Sequence, residues 1–280
     1  MLIALLASQL IFEAPQRINA NGEPIDAIIG HASPYLRDMN NDGVRDLLVA
    51  EFGDQMFDIT RLPEKMQKGA AGKYEDSRLR VYLNHGSDTA PSYKDFDYLA
   101  NAQGQLLSIP STWCISFSPQ FADYDNDGDA DIVSGSYTGE IWYFENVDGE
   151  YKQGVFLLNE NGEPLNGGTS ITPELHDLDG DSDLDLLIGT RSSGVFMINN
   201  IGTQDIPEWS ATKVALKTTS NKKIKGSNAH LADINGDGLL DITCGEEYGG
   251  GIYYLNTSAD QALQFADSQV LFQPTPWDER

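Results

Sequence analysis

The sequence predicts an all-β fold, a β-propeller of four-stranded blades. Three observations predict it: a nine-residue acidic pattern that occurs four times, a hairpin signature at fixed spacing behind it, and the lack of any long helical period. The pattern is clearest at Asp123-Tyr124-Asp125-Asn126-Asp127-Gly128-Asp129-Ala130-Asp131, which runs into Ile132-Val133-Ser134-Gly135. Oxygen-bearing side chains stand at positions 1, 3, 5 and 9: Asp123, Asp125, Asp127 and Asp131. The same spacing gives Asp38, Asn40, Asp42 and Asp46, then Asp177, Asp179, Asp181 and Asp185, then Asp233, Asn235, Asp237 and Asp241. Loop starts lie 85, 54 and 56 residues apart, about the length of a four-stranded unit once the insertion that accounts for most of the excess in the first interval is set aside.

Each unit reads in the same order. An inner strand leads into the acidic loop: Ala32 to Leu36, Ser118 to Ala122, Thr172 to His176, and Ala229 to Ala232. A second strand follows at Leu47-Leu48-Val49, Ile132-Val133, Leu186-Leu187-Ile188 and Ile242-Thr243, rich in residues that favour strands. Four residues after position 9 stands Gly135, Gly189 or Gly245, and fifteen after it Asn146, Asn200 or Asn256. Between them lies a hairpin whose third strands are Ile141 to Phe144, Val195 to Ile198 and Ile252 to Leu255. Outer strands follow, the last at Gln269 to Phe272.

The first unit obeys the rule with an insertion. Its third strand, Arg80 to Leu83, ends at Asn84, placed 23 residues late, and the excess falls at 54–77. Gly, Pro and charge mark this segment as an exposed loop with room for one helical turn. It concentrates Arg61, Lys65, Lys68 and Lys73 in an acidic chain. A second echo lies between units: Ile18-Asn19-Ala20-Asn21-Gly22-Glu23-Pro24-Ile25 matches Leu158 to Leu165, with a looser copy at Leu99 to Leu106. Each reads as a polar Asn-Gly excursion from an outer strand. The expected division is 1–27 as an export-signal remnant plus outer strand, 28–272 as the propeller, and 273–280 as a tail. Within the propeller the units span 28–99, 107–158, 166–217 and 226–272.

Four carboxylates packed into nine residues repel one another, and a hard divalent cation removes that repulsion. Oxygen-only ligands at this density suit Ca²⁺ better than Zn²⁺. The loops are not EF-hands, which need a bidentate Glu at position 12; here that position is Val49, Ser134, Ile188 or Cys244. Position 6 is Gly43, Gly128 or Gly238, as a left-handed turn requires, but Ser182 in the third loop, which makes that loop the weakest candidate.

The net charge is −25, and four bound ions would leave the chain strongly acidic, which argues against nucleic acid and anionic membrane surfaces. No stretch reaches the ~20 apolar residues of a transmembrane span. Met1 to Ala7 reads either as a short signal core or as the start of a strand running through Leu10-Ile11-Phe12. The two cysteines, Cys114 and Cys244, fall at non-equivalent positions and read as buried free thiols.

The pattern Asp-x-Asp/Asn-x-Asp-Gly-x-x-Asp, between an inner strand ending in Phe-Ala-Asp or Leu-Ala-Asp and a strand reading Asp-Ile-Val-x-Gly, resembles the FG-GAP/VCBS repeat of integrin α propellers and secreted bacterial proteins. The resemblance covers about Ile28 to Phe272, with Phe52-Gly53 the nearest trace of the literal name string. It implies up to four Ca²⁺ ions held by side chains at positions 1, 3, 5 and 9. It adds the position-7 carbonyls, those of Val44, Asp129, Asp183 and Leu239. Family propellers commonly carry seven blades, so four to five visible here point to a small or open propeller or to part of a longer one.

The leading expectation is a calcium-stabilised extracytoplasmic recognition or scaffold module with a protein or carbohydrate partner. The alternatives are a carbohydrate-active enzyme of lyase type and a purely structural domain. No catalytic motif supports an enzyme, although His31, His176 and His230 sit on or near inner strands; Arg37, Arg45, Arg80 and Arg191 could serve a lyase-like site on an acidic glycan, but the net charge opposes an acidic substrate. Trp113 and Trp209 are the candidate sugar platforms, while Trp142 reads as core.

Overall fold

A computed structural model describes residues 16–27, 32–51, 55–56, 59–61, 64–68, 73–74, 76–110, 117–191, 193–246, 250–258 and 263–273. The expectations for Met1 to Phe12, His31, Phe52-Gly53, Trp113, Cys114 and the segment after 273 lie outside the described residues.

In the first three blades the second strand carries an unbroken apolar run, at Leu47 to Ala50, Ile132-Val133 and Leu186 to Ile188, because both of its faces are covered. In Asp185–Thr190, Leu186 and Ile188 pack toward the second blade, and Leu187 packs toward the fourth. Alternation places successive side chains on opposite faces, so a strand packed on both must be apolar throughout. Burying each such side chain contributes about 1.5–3 kcal/mol.

Four antiparallel blades result. The first runs from its inner strand Ser33–Arg37 through Asp46–Glu51 and Asp76–Tyr82 to Asp97–Tyr98, with Ser108–Pro110 also pairing on the third strand. The second is Pro119–Ala122, Asp131–Ser134, Trp142–Phe144 and Val155–Phe156. The third is Ile171–His176, Asp185–Thr190, Gly194–Ile198 and Val214–Ala215. The fourth is Ala229–Ala232, Asp241–Gly245, Gly251–Tyr254 and Gln269–Phe272. The chain is thus a four-bladed propeller arrangement, in which the inner strands of the first and second, second and third, and third and fourth blades pack against each other.

Cores form between blades. Leu48, Leu79, Phe117, Ile132 and Phe144 fill the first junction. Val133, Ile141, Leu186, Ile188 and Trp209 fill the second, and Leu187, Val195, Ile242, Cys244 and Phe265 the third. Cys244 is a buried free thiol, as expected, and burial pushes it up to about 12. In the fourth blade Thr243 takes the register position of Leu48, Val133 and Leu187. It lies in a polar row with His230, Tyr253 and Gln269.

Two expectations need correction. The first insertion is shorter than 54–77, because the third strand already begins at Asp76, where Ser77 is buried and donates to the Glu51 carbonyl at 2.6 Å. Its base is a ribbon of Gln55–Met56 paired with Lys73–Tyr74, and its helical turn is Glu64–Gln67. Trp209 is not a sugar platform. It is only 2% exposed, and its Nε1–H donates to the Tyr124 hydroxyl at 2.9 Å. Trp142 is half-buried, its ring 4.4 Å from that of Phe156.

Candidate metal centre

Each acidic loop connects an inner strand to the second strand of its blade. Its backbone path is the same in all four copies, because two residues per loop are left-handed. Position 6 is left-handed at Gly43, Gly128, Ser182 and Gly238, and position 4 at Asn41, Asn126, Gly180 and Gly236. Ser182 follows the glycine path with φ at 79°, so the third loop closes like the others. In every copy the position-6 N–H donates to the position-1 carboxylate: Gly43 to Asp38 at 2.8 Å, Gly128 to Asp123 at 3.2 Å, Ser182 to Asp177 at 3.1 Å and Gly238 to Asp233 at 2.9 Å. The position-7 N–H donates to the position-5 carboxylate, from Val44, Asp129, Asp183 and Leu239 to Asp42, Asp127, Asp181 and Asp237.

Position 9 is hydrogen-bonded through both of its oxygens. Asp46, Asp131, Asp185 and Asp241 are essentially fully buried. One oxygen of each accepts the position-2 N–H, from Met39, Tyr124, Leu178 or Ile234. The other accepts the N–H of the asparagine after the third strand, Asn84, Asn146, Asn200 or Asn256, at 2.7–2.9 Å. The fixed spacing of Asp and Asn in the sequence is this bond. The asparagine side chain then organises its own turn: the Asn200 Oδ1 accepts from Gly202 and Glu208, and the Asn256 Oδ1 from Ser258 and Gln264.

The donor set fits a hard cation. Carboxylate oxygens of Asp123, Asp125 and Asp127, and of Asp177, Asp179 and Asp185, lie within 4.8 Å of one another. Buried oxygens on Asp123, Asp125, Asp129 and Asp183 have no hydrogen-bond partner. Burial, the largest cause, pushes the Asp131 carboxyl up to about 7 despite its two backbone bonds. Burial and then Asp181 push Asp183 up to about 6. In the exposed fourth loop the backbone bond from Gly238 instead holds Asp233 below the usual carboxylate range. Carboxylates crowded and desolvated like this resist ionisation, and a divalent ion reverses that preference.

The other candidate residues are distributed as follows. The Arg80 guanidinium is buried on Glu51, which also accepts from Tyr98. Arg45 pairs with Asp88 at 3.0 Å, and Lys65 of the insertion pairs with Asp97 at 2.6 Å. The Arg37 guanidinium lies 5.0 Å from the Phe121 ring centre. His176 Nε2 and His230 Nδ1 flank the buried Glu174 carboxylate at 3.0 and 3.1 Å, and the Leu231 N–H donates to it at 2.8 Å. The sequence flagged both histidines but not Glu174, whose only signal is its place three residues before a loop.

A family model described as FG-GAP-like repeat matches residues 123–188 and 177–244, which take in the second, third and fourth acidic loops. No curated protein matches the chain in a sequence comparison.

Proposed function

Because the chain is an FG-GAP repeat protein with a propeller arrangement, a fold suited to protein interaction or scaffolding, we propose that it is a calcium-stapled recognition module acting outside the cytoplasm. One observation carries the reading: the same oxygen-rich loop recurs at the same point of four blades, with buried carboxylate oxygens left unpartnered in two of them. The proposed ligands are the side chains at positions 1, 3, 5 and 9 of each loop and the position-7 carbonyls of Val44, Asp129, Asp183 and Leu239. An ion there ties the end of an inner strand to the start of the second. Its binding energy therefore becomes folding energy.

The extracytoplasmic assignment follows from affinity. Extracellular calcium modules work with dissociation constants of ~10⁻⁴ to 10⁻³ M, which cytosolic calcium does not satisfy. Among the described residues no helix is long and apolar enough to cross a membrane. A protein partner fits better than a glycan, since Trp209 is buried and the guanidinium groups of Arg45 and Arg80 are engaged by carboxylates. The lyase alternative gains no specific support from His176 and His230, whose shared contact is with Glu174.

The test is thermal melting in metal-stripped buffer with calcium or EGTA. Calcium at a hundredfold excess over Kd is expected to add about 2.7 kcal/mol per site. A melting temperature indifferent to both would reject the calcium reading.

A further inference from the structure

Resting on the calcium reading, we propose that the four loops fall into two classes, and that the extra carboxylates of the second and third loops, Asp125 and Asp129 in one and Asp179 and Asp183 in the other, make these the tight sites. The first and fourth loops each carry three carboxylates, whereas the second and third each carry five. The difference lies at two positions. Position 3 is Asn40 or Asn235 in the first class and Asp125 or Asp179 in the second. Position 7 is Val44 or Leu239 in the first class and Asp129 or Asp183 in the second.

The side chains behave differently as well. In the first and fourth loops the position-3 amide donates to the position-5 carboxylate, from Asn40 to Asp42 at 3.0 Å and from Asn235 to Asp237 at 2.9 Å. Those loops thereby supply part of their own neutralisation. No acidic oxygen of theirs is among the buried, unpartnered atoms of the described residues, while Asp123, Asp125, Asp129 and Asp183 all are. Asp183 is the decisive residue. It is 7% exposed, one of its oxygens has no partner, and the charged groups acting on it are Asp181, Asp185 and Asp179. Asp129 has one oxygen on the Asp148 N–H at 2.9 Å and the other unpartnered. A buried carboxylate facing other carboxylates is costly unless a cation joins them. In oxygen-ligand sites the number of charged ligands sets calcium affinity, so five carboxylates outbind three.

The experiment is calcium titration of the metal-stripped full chain by calorimetry, alongside Tb³⁺ binding read by aromatic-sensitised emission. Tyr124 is position 2 of the second loop and is bonded to Trp209, so this emission reports on that loop. The expected result is a tight phase of two ions followed by a weaker phase. Asp129→Asn is expected to weaken the sensitised Tb³⁺ signal at least tenfold. Asp183→Asn should remove one tight calcium and leave that signal in place. Leu239→Asp, which adds a carboxylate without emptying a packed site, should recruit the fourth loop into the tight phase. Four equivalent calcium sites, untouched by all three substitutions, would overturn the two-class proposal while leaving the calcium reading intact. No calcium uptake at all would overturn both.

Discussion

Asp185 shows how one residue serves two purposes. It is a proposed cation ligand, and its two oxygens already hold the Leu178 and Asn200 N–H groups, joining the loop to the turn behind the third strand. Replacing it by Ala leaves two N–H groups unpaired near a buried site, each costing about 1–3 kcal/mol. The expected loss in urea unfolding without calcium is therefore several kcal/mol. Asp233→Ala, in an exposed loop, should cost far less without calcium and show most of its effect when calcium is present. Ser182 gives a second test at this scale. A side chain in the left-handed region is strained where glycine is not, so Ser182→Gly should stabilise the metal-free protein by about 0.5–1 kcal/mol. Unchanged or lower stability would show that the Ser182 side chain makes a compensating contact.

At the scale of elements, the segments between blades are built as consistently as the blades. The Asn-Gly excursions seen in the sequence are short hairpins that reach the next blade. The Glu160 N–H donates to the Trp209 carbonyl, and the Asn21 N–H donates to the Tyr93 carbonyl. A further copy at 217–223, where the Thr219 N–H meets the Phe265 carbonyl, was not legible, because Thr-Thr-Ser-Asn replaces Asn-x-Asn-Gly. The three aromatics sit nine residues after Asn84, Asn200 and Asn256, a spacing that explains their burial. The insertion is attached differently. It leaves and rejoins the first blade through the Gln55–Met56 and Lys73–Tyr74 ribbon, so its ends lie side by side. Deleting 55–74 with a short Gly-Ser closure is expected to leave the melting temperature and calcium uptake nearly unchanged. If this loop is the recognition surface, partner capture in pull-down falls at least tenfold, about 1.4 kcal/mol. Intact capture by a well-folded deletion would exclude it.

Across the whole molecule, stability depends on contacts between consecutive blades, and one of them is ionic. Glu174 of the third blade meets His230 and the Leu231 N–H of the fourth, with His176 on its other side. The hydrogen bond to Glu174 raises His230 above its ordinary value of 6.5. Burial opposes Glu174 ionisation, but the bonds from His176 and His230 outweigh it and hold Glu174 below 4.5. The two shifts set opposite limits. The His230 contribution is fully present below 6.5 and is lost as pH rises through its raised folded value. The Glu174 contribution is present above 4.5 and is lost as pH falls through its lowered one. Melting against pH should therefore show the wild type gaining most over His230→Gln between about pH 5 and 6.5, with the difference shrinking toward pH 8. A pH-independent difference would mean that the contact matters for packing alone.

The repeated spacing by itself determined the all-β class, the four units, the order of strands and the oxygen-rich loops. These features are periodic, and periodicity survives in a linear string: alternating burial and fixed ligand spacing are local consequences of strand and turn geometry. The tertiary structure alone decided what non-local contacts control. It buried Trp209 against Tyr124, engaged Arg80 with Glu51, brought Glu174 between two histidines from different blades, and left one oxygen of Asp183 unpartnered among like charges. A side chain's neighbour across a blade junction is set by how two sheets pack, and residues up to 85 positions apart carry no mark of that meeting in their own segments.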